Sequence, residues 1–268
     1  MIKDITIGQY FPGESVVHRL DPRTKVLGTI VYMVSLFLVK NGIGFVLAGG
    51  LIFALILLSR IPLKVVLKGI KPLAFIIVFT AAFNIFYGSG DVIFANVGWL
   101  QWLTWGGVRN AVFMAVRIIL LVLGTSFMTY TTSPILLTGA IESLLAPFKL
   151  VKVPVHELAM MMTIALRFIP TLIDETDKII NAQKARGADF ETGNIFRRAK
   201  ALIPILIPLI ISAFRRAEEL ADAMECRCYH GGKNRTKYKV FHFALRDAGA
   251  ALVMALLVAG IVLINLFL

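Results

Sequence analysis

Residues 25–60 read KVLGTIVYMVSLFLVKNGIGFVLAGGLIFALILLSR, and Lys40 is the only charge between Lys25 and Arg60. A helix needs about 20 mostly apolar residues to cross a hydrocarbon core of roughly 30 Å. Lys40 sits beside Asn41 and Gly42, residues that favour a turn. The stretch therefore predicts two short spans, about 24–40 and 42–59, joined by a tight turn from which Lys40 snorkels outward.

The same pattern recurs in both directions from this pair. Between Lys71 and Arg109 there is no Lys or Arg, and Asp91 is the only acid. A third span fits at about 71–88, followed by an uncharged stretch holding Trp99, Trp102 and Trp105. A fourth fits at about 107–130 and a fifth at 247–268. Across all 268 residues the chain is 58% hydrophobic and only 16% charged, against about 25% charged in a soluble domain. Its mean hydropathy is +0.80. Disorder is excluded by that hydrophobicity. A disulfide scaffold is excluded because Cys226 and Cys228 are the only cysteines, which read as free thiols in a reducing compartment. Residues 1–21 carry acids and no apolar core, so no secretory signal peptide is expected there.

Charge asymmetry orients the spans. Lys and Arg number 28, and 131–246 holds most of them, whereas 89–106 has none. Residues 1–25 and the loop from Arg60 to Lys71 are also basic. The positive-inside rule makes these three regions cytoplasmic and, with five spans, puts the carboxyl terminus outside. The tryptophans then fall where an interfacial aromatic belt would sit. The net charge of +12 is absorbed by topology, so no nucleic-acid partner is expected and the bilayer is the implied surface.

The segment 133–246 is too long for a loop and too amphipathic for disorder. Its longest uncharged run, Ala201 to Phe214, would span only about 21 Å, too short to cross. Pro204 and Pro208 within it should bend a helix. Three helices are expected, about 133–146 with Ser133 as N-cap and Pro147 as stop, 155–186 with Gly187 as C′ residue, and 194–228. In the second, Leu158, Met161, Met162, Ala165, Ile169, Leu172 and Ile173 follow helical spacing, and Asp174, Glu175, Asp177 and Lys178 take the other face. The fold class is thus an all-α integral membrane protein: a bundle of four spans in 1–132, a cytoplasmic coupling domain of three amphipathic helices in 133–246, and a last span in 247–268.

The two long helices end alike. One finishes Ala185-Arg186-Gly187, the other Cys226-Arg227-Cys228, and in each a single arginine stands between small residues. A cation at a helix carboxyl terminus is favourable in itself, by about 0.3–1 kcal/mol. Small neighbours add what that does not require: they let another surface approach a guanidinium, whose fork suits a carboxylate or backbone carbonyls.

Leu166-Arg167-Phe168-Ile169-Pro170, then Glu175 and Ala182-Gln183-Lys184-Ala185-Arg186-Gly187, resembles the transmembrane T component of energy-coupling-factor transporters. Arg215-Arg216-Ala217-Glu218-Glu219-Leu220-Ala221 leading into Met224-Glu225-Cys226-Arg227-Cys228-Tyr229 does so too, as do Asp21-Pro22-Arg23-Thr24-Lys25, Arg117 and Thr131-Thr132-Ser133-Pro134. The likeness covers nearly the whole chain. One departure is visible, Cys-Arg-Cys where the second site would repeat Ala-Arg-Gly. The resemblance implies the membrane scaffold of an ATP-binding-cassette importer in a bacterial cell membrane. Its two arginine-bearing helices would dock on a pair of cytosolic ATPase subunits, a heterodimer. It would also hold a small membrane-embedded S component, which topples to release a vitamin or a metal ion. Length and the long coupling segment sit better with the shared vitamin type than with the cobalt type. No G-x-x-x-x-G-K-S/T phosphate loop occurs in the chain, so ATP would be bound by the partners. No cofactor, no metal and no catalytic residue are expected in this subunit.

Remaining residues have two readings each. Arg117 lies inside the fourth span, where an arginine is costly and faces protein or a watery cavity; it either bonds structurally or meets the S component or the substrate. Met160, Met161 and Met162 are either core or an interface that repacks against the S component. Cys226, Cys228 and His230 lack a second ligand group nearby, which argues against a metal. A secondary transporter would place acids in its spans, and none of the four amino-terminal spans has one. A membrane-embedded enzyme would need clustered His, Asp or Glu, which the sequence lacks.

Overall fold

The computed structural model describes residues 10–87, 104–188, 190, 194–231 and 241–267. They form nine α-helices and no strand: α1 (Pro22–Leu38), α2 (Gly42–Ser59), α3 (Leu63–Ile70), α4 (Ala74–Tyr87), α5 (Trp105–Thr131), α6 (Pro134–Leu144), α7 (Val155–Ala185), α8 (Ile195–Cys226) and α9 (Leu245–Phe267). Short 3-10 turns, Lys71–Leu73 and Ala146–Val151, follow α3 and α6. The chain is an all-α membrane protein. Its described residues divide into two compact units, one within 10–140 and 241–267, the other within 141–231.

The first unit is a bundle centred on α5, which packs against α1, α2, α3 and α4, while α9 packs against α1 and α2. Lipid supplies no hydrophobic drive between helices, so close packing and polar ties must hold them. Tyr32, Leu36, Ile52, Ile56, Leu120, Phe127, Leu257 and Ile261 make the packed centre. Gly124 permits it: a Cβ there would lie 2.7 Å from the Tyr32 ring. Elsewhere large apolar side chains face outward, Phe75, Phe79 and Phe83 among them, as lipid-facing helices require.

Polar ties fix the ends. The Asp21 carboxylate caps α1 by accepting from Arg23 N–H at 2.8 Å, with Pro22 at the first helical position. Asp247, in the first turn of α9, accepts from Asp21 N–H at 2.8 Å and from Ala244 N–H at 2.9 Å. Lys25 Nζ donates to the carbonyl of Thr131, the last residue of α5, at 2.8 Å. At the other end of α1, Asn265 Nδ2 donates to the Leu38 carbonyl and Asn265 Oδ1 accepts from Lys40 N–H. The ends of α1, α5 and α9 are thereby sorted: α1 and α9 run parallel, and α5 runs against both. Ahead of α1, His18 Nε2 donates to the Phe11 carbonyl at 3.0 Å, and burial lowers the His18 pKa.

One consequence is topological. The chain leaves the bundle at Thr131 and re-enters at Leu245, at the same end as the start of α1. The intervening segment therefore crosses a membrane an even number of times or not at all. By length and composition, five described segments could span: Gly42–Ser59, Leu63–Phe86, Trp105–Thr131, Val155–Ala185 and Leu245–Phe267. That set differs in membership from the sequence expectation. It includes α7, and it leaves out α1, whose 17 residues reach only about 25 Å. For α7 to cross, another helix of the segment would have to cross back. The 11 residues of α6 are too few, and charges bound the uncharged run of α8.

Other expectations shift locally. The span expected at 71–88 continues a helix that starts at Leu63, because Pro62 serves as its N-cap and Lys64, Lys68 and Lys71 recur on one side. Pro147 does not end α6; that helix stops at Leu144, and Pro147 lies within the following 3-10 turn. α8 runs unbroken through Pro204 and Pro208, and α7 through Pro170. Trp99 and Trp102, and most of the stretch 89–106, lie outside the described residues.

Candidate coupling site

In the second unit α7 and α8 pack against each other. α7 has Val155 and Ala159 as its buried residues, and both lie in its first two turns. Its carboxyl-terminal half is exposed or half-buried, as is that of α8. The residues expected to matter, Ala185, Arg186, Gly187, Cys226, Arg227 and Cys228, are all exposed.

Both helices stop by the same device. At the end of α7, Ala188 N–H donates to the Gln183 carbonyl and Gly187 N–H to the Lys184 carbonyl, each at 3.0 Å. Gly187 has φ +85°. At the end of α8, Tyr229 N–H donates to the Met224 carbonyl at 3.0 Å and Cys228 N–H to the Glu225 carbonyl at 2.8 Å. Cys228 has φ +54°. These are two Schellman caps in identical register, each satisfying the last carbonyls through a left-handed C′ residue. Arg186 and Arg227 both occupy the C-cap position, where the negative end of the helix dipole favours a cation. The cysteine that replaces glycine therefore does not change the backbone. It adopts the glycine conformation at a steric cost of about 1–2 kcal/mol.

Behind these ends, Arg216 Nη2 donates to Glu175 Oε2, an ion pair that joins α8 to α7. Thr171, Asp174 and Lys178 line the same recess. His156 Nδ1 and Glu142 Oε1, 3.1 Å apart, form a second contact within this unit. His230 turns its Nδ1 to the Cys228 carbonyl at 2.9 Å. Among the described residues no group of three His, Cys, Asp or Glu is placed to hold a metal ion.

Arg117 lies apart from this site, in the bundle. Its Nη2 donates to the Val39 carbonyl at 2.9 Å, and its guanidinium stands 5.6 Å from the Phe45 ring centre and 6.0 Å from that of Phe37. It thus satisfies a carbonyl freed where α1 ends, under two aromatic faces. Met161 and Met162 are exposed on α7, and Met160 is half-buried. Sequence reading did not single out Asp247 or Asn265. The available signal was a lone acid opening an apolar run and a lone amide near its end.

Residues 13–238 match the family model described as CbiQ, cobalt transport protein. The chain is 56% identical to the energy-coupling factor transporter transmembrane protein EcfT of Ruminiclostridium cellulolyticum, over 92% of each chain. It is 53% identical to the protein of the same name from Thermosediminibacter oceani, over 97% of each. It is 51% identical to that of Clostridium kluyveri, over 96% of each.

Proposed function

This chain belongs to the family of energy-coupling factor transporter transmembrane proteins, and from that premise we propose that it couples ATP hydrolysis by two cytosolic ATPase subunits to movement of a membrane-embedded substrate-binding S component. The chain is a multi-pass membrane component of a transporter. Its amino terminus and α6–α8 face the cytoplasm and its carboxyl terminus faces out. The observation that carries the reading is the pair of identical helix ends. Two exposed arginines in the same cap register are what a partner with two equivalent grooves, one on each ATPase, would engage.

The subunit itself is non-catalytic and binds no cofactor; ATP is held by the partners. The lack of a phosphate loop in the sequence supports placing ATP on the partners. Met160, Met161 and Met162 belong to the surface that repacks against the S component. Cargo, a vitamin, is chosen by that component. The test is purification of the tagged chain from its own cell in mild detergent. Two proteins carrying G-x-x-x-x-G-K-S/T loops and one small hydrophobic protein should co-elute, and uptake into vesicles of the complex should require ATP. Substrate-dependent transport by the chain alone would contradict the assignment.

A further inference from the structure

Glu175 and Arg216 are 41 residues apart, and so are Arg186 and Arg227. Each arginine therefore lies eleven residues beyond its own helix's member of the ion pair. Eleven residues make three turns, about 16 Å, and return to within about 20° of the starting face. Both arms are helical to their ends and close in the same cap. Neither has a buried residue beyond the ion pair among those described. The pair itself is half-buried, with side-chain exposures of 32% for Arg216 and 23% for Glu175.

We propose that Glu175 and Arg216 are positioning residues: their ion pair is the fulcrum that fixes the spacing and the rotational phase of Arg186 and Arg227. The proposal rests on the docking role given above to those arginines. Two arms of equal length and equal phase from one fulcrum are related by an approximate two-fold axis through it. The matching partner is two ATPase subunits that present similar grooves about their own approximate two-fold axis. A slip of one helix past the other by a single turn would move one arginine by about 5.4 Å, enough to take it out of its groove. The bond from Arg216 Nη2 to Glu175 Oε2 is charge-assisted on both sides, which makes the pair suited to this task. Asp174 lines the same recess and offers a substitute carboxylate when Glu175 is removed, so Arg216→Gln is the sharper single variant.

The test places spin labels at Asn181→Cys and Asp222→Cys, two exposed positions each six residues past the fulcrum, in a Cys226→Ala/Cys228→Gly background. The full chain is purified with its phosphate-loop ATPases. A narrow label–label distance distribution is expected with Glu175 and Arg216 in place. Arg216→Gln should broaden it and lower ATPase retention by about two- to fivefold. Exchanging the two charges, Glu175→Arg with Arg216→Glu, re-forms the pair and should restore both readouts; a pair that merely stabilised the unit would leave the distance distribution narrow in Arg216→Gln. An unchanged distribution in Arg216→Gln overturns the proposal. So does failure of the exchange to restore it, or a broadened distribution with undiminished retention. If removal of Arg186 and Arg227 leaves retention intact, the docking role fails, a result separate from what the distances report.

Discussion

Cys228 holds a backbone conformation that L residues other than glycine adopt at a cost. Relieving it gives a prediction with a sign. Cys228→Gly, with Cys226→Ala, should keep transport and raise the stability of the α8 terminus by about 1 kcal/mol. Cys228→Val should lower both, because β-branching is poorly tolerated at positive φ. Hydrogen exchange at the last turn of α8 reads the first effect, and ATP-driven uptake the second. From sequence, only the small size of the two cysteines is legible. The sign of φ follows once Cys228 is set against Gly187, whose role as helix stop is written in its residue type. Arg117 was legible as an intramembrane cation needing a partner. Its bond to the Val39 carbonyl was not, because that carbonyl is freed only by the extended residue that ends α1.

At the scale of elements, the two long helices were readable to within two residues because their caps are local chemistry. The start of α3 was not, since Lys64 and Lys68 look like loop charges until a helix gathers them on one side. Nor was the tie between α1 and α9, which joins residues 226 apart and leaves no local trace. That tie is strong. Asp247 is 5% exposed, and its carboxylate satisfies two backbone N–H groups, one at the start of each helix. Asp247→Asn keeps the shape but offers one acceptor where two are needed, and it turns an N–H₂ toward a donor. A loss of about 1–3 kcal/mol is expected, read as a lowered Tm of the purified chain. The exposed Asp222→Asn should leave Tm unchanged.

For the whole molecule, charge distribution predicts which side each loop faces, and the bundle's internal ties add that 132–244 begins and ends on one side. Single-cysteine labelling in a Cys226→Ala/Cys228→Gly background should therefore find Lys40→Cys accessible from outside and Lys64→Cys from inside only. Asn96→Cys and Asn234→Cys, which lie outside the described residues, should label from outside and inside respectively. Exterior labelling at residue 64 or 234 would contradict the topology. Coupling itself is tested most directly by ATPase retention on the tagged chain when Arg186 and Arg227 are changed to Ala, singly and together, with uptake measured in the same preparations. Truncating one side of a buried charge pair costs about 2–5 kcal/mol, and two docking points act as one divalent contact. Each single variant should loosen the ATPases and impair uptake. The double variant should lose stable assembly while the freed ATPases keep their basal hydrolysis, and Arg→Lys should rescue only in part because an ammonium lacks the planar fork. A double variant that retains its ATPases and transports normally would mean that both arginines are ordinary helix caps and that coupling runs through another surface.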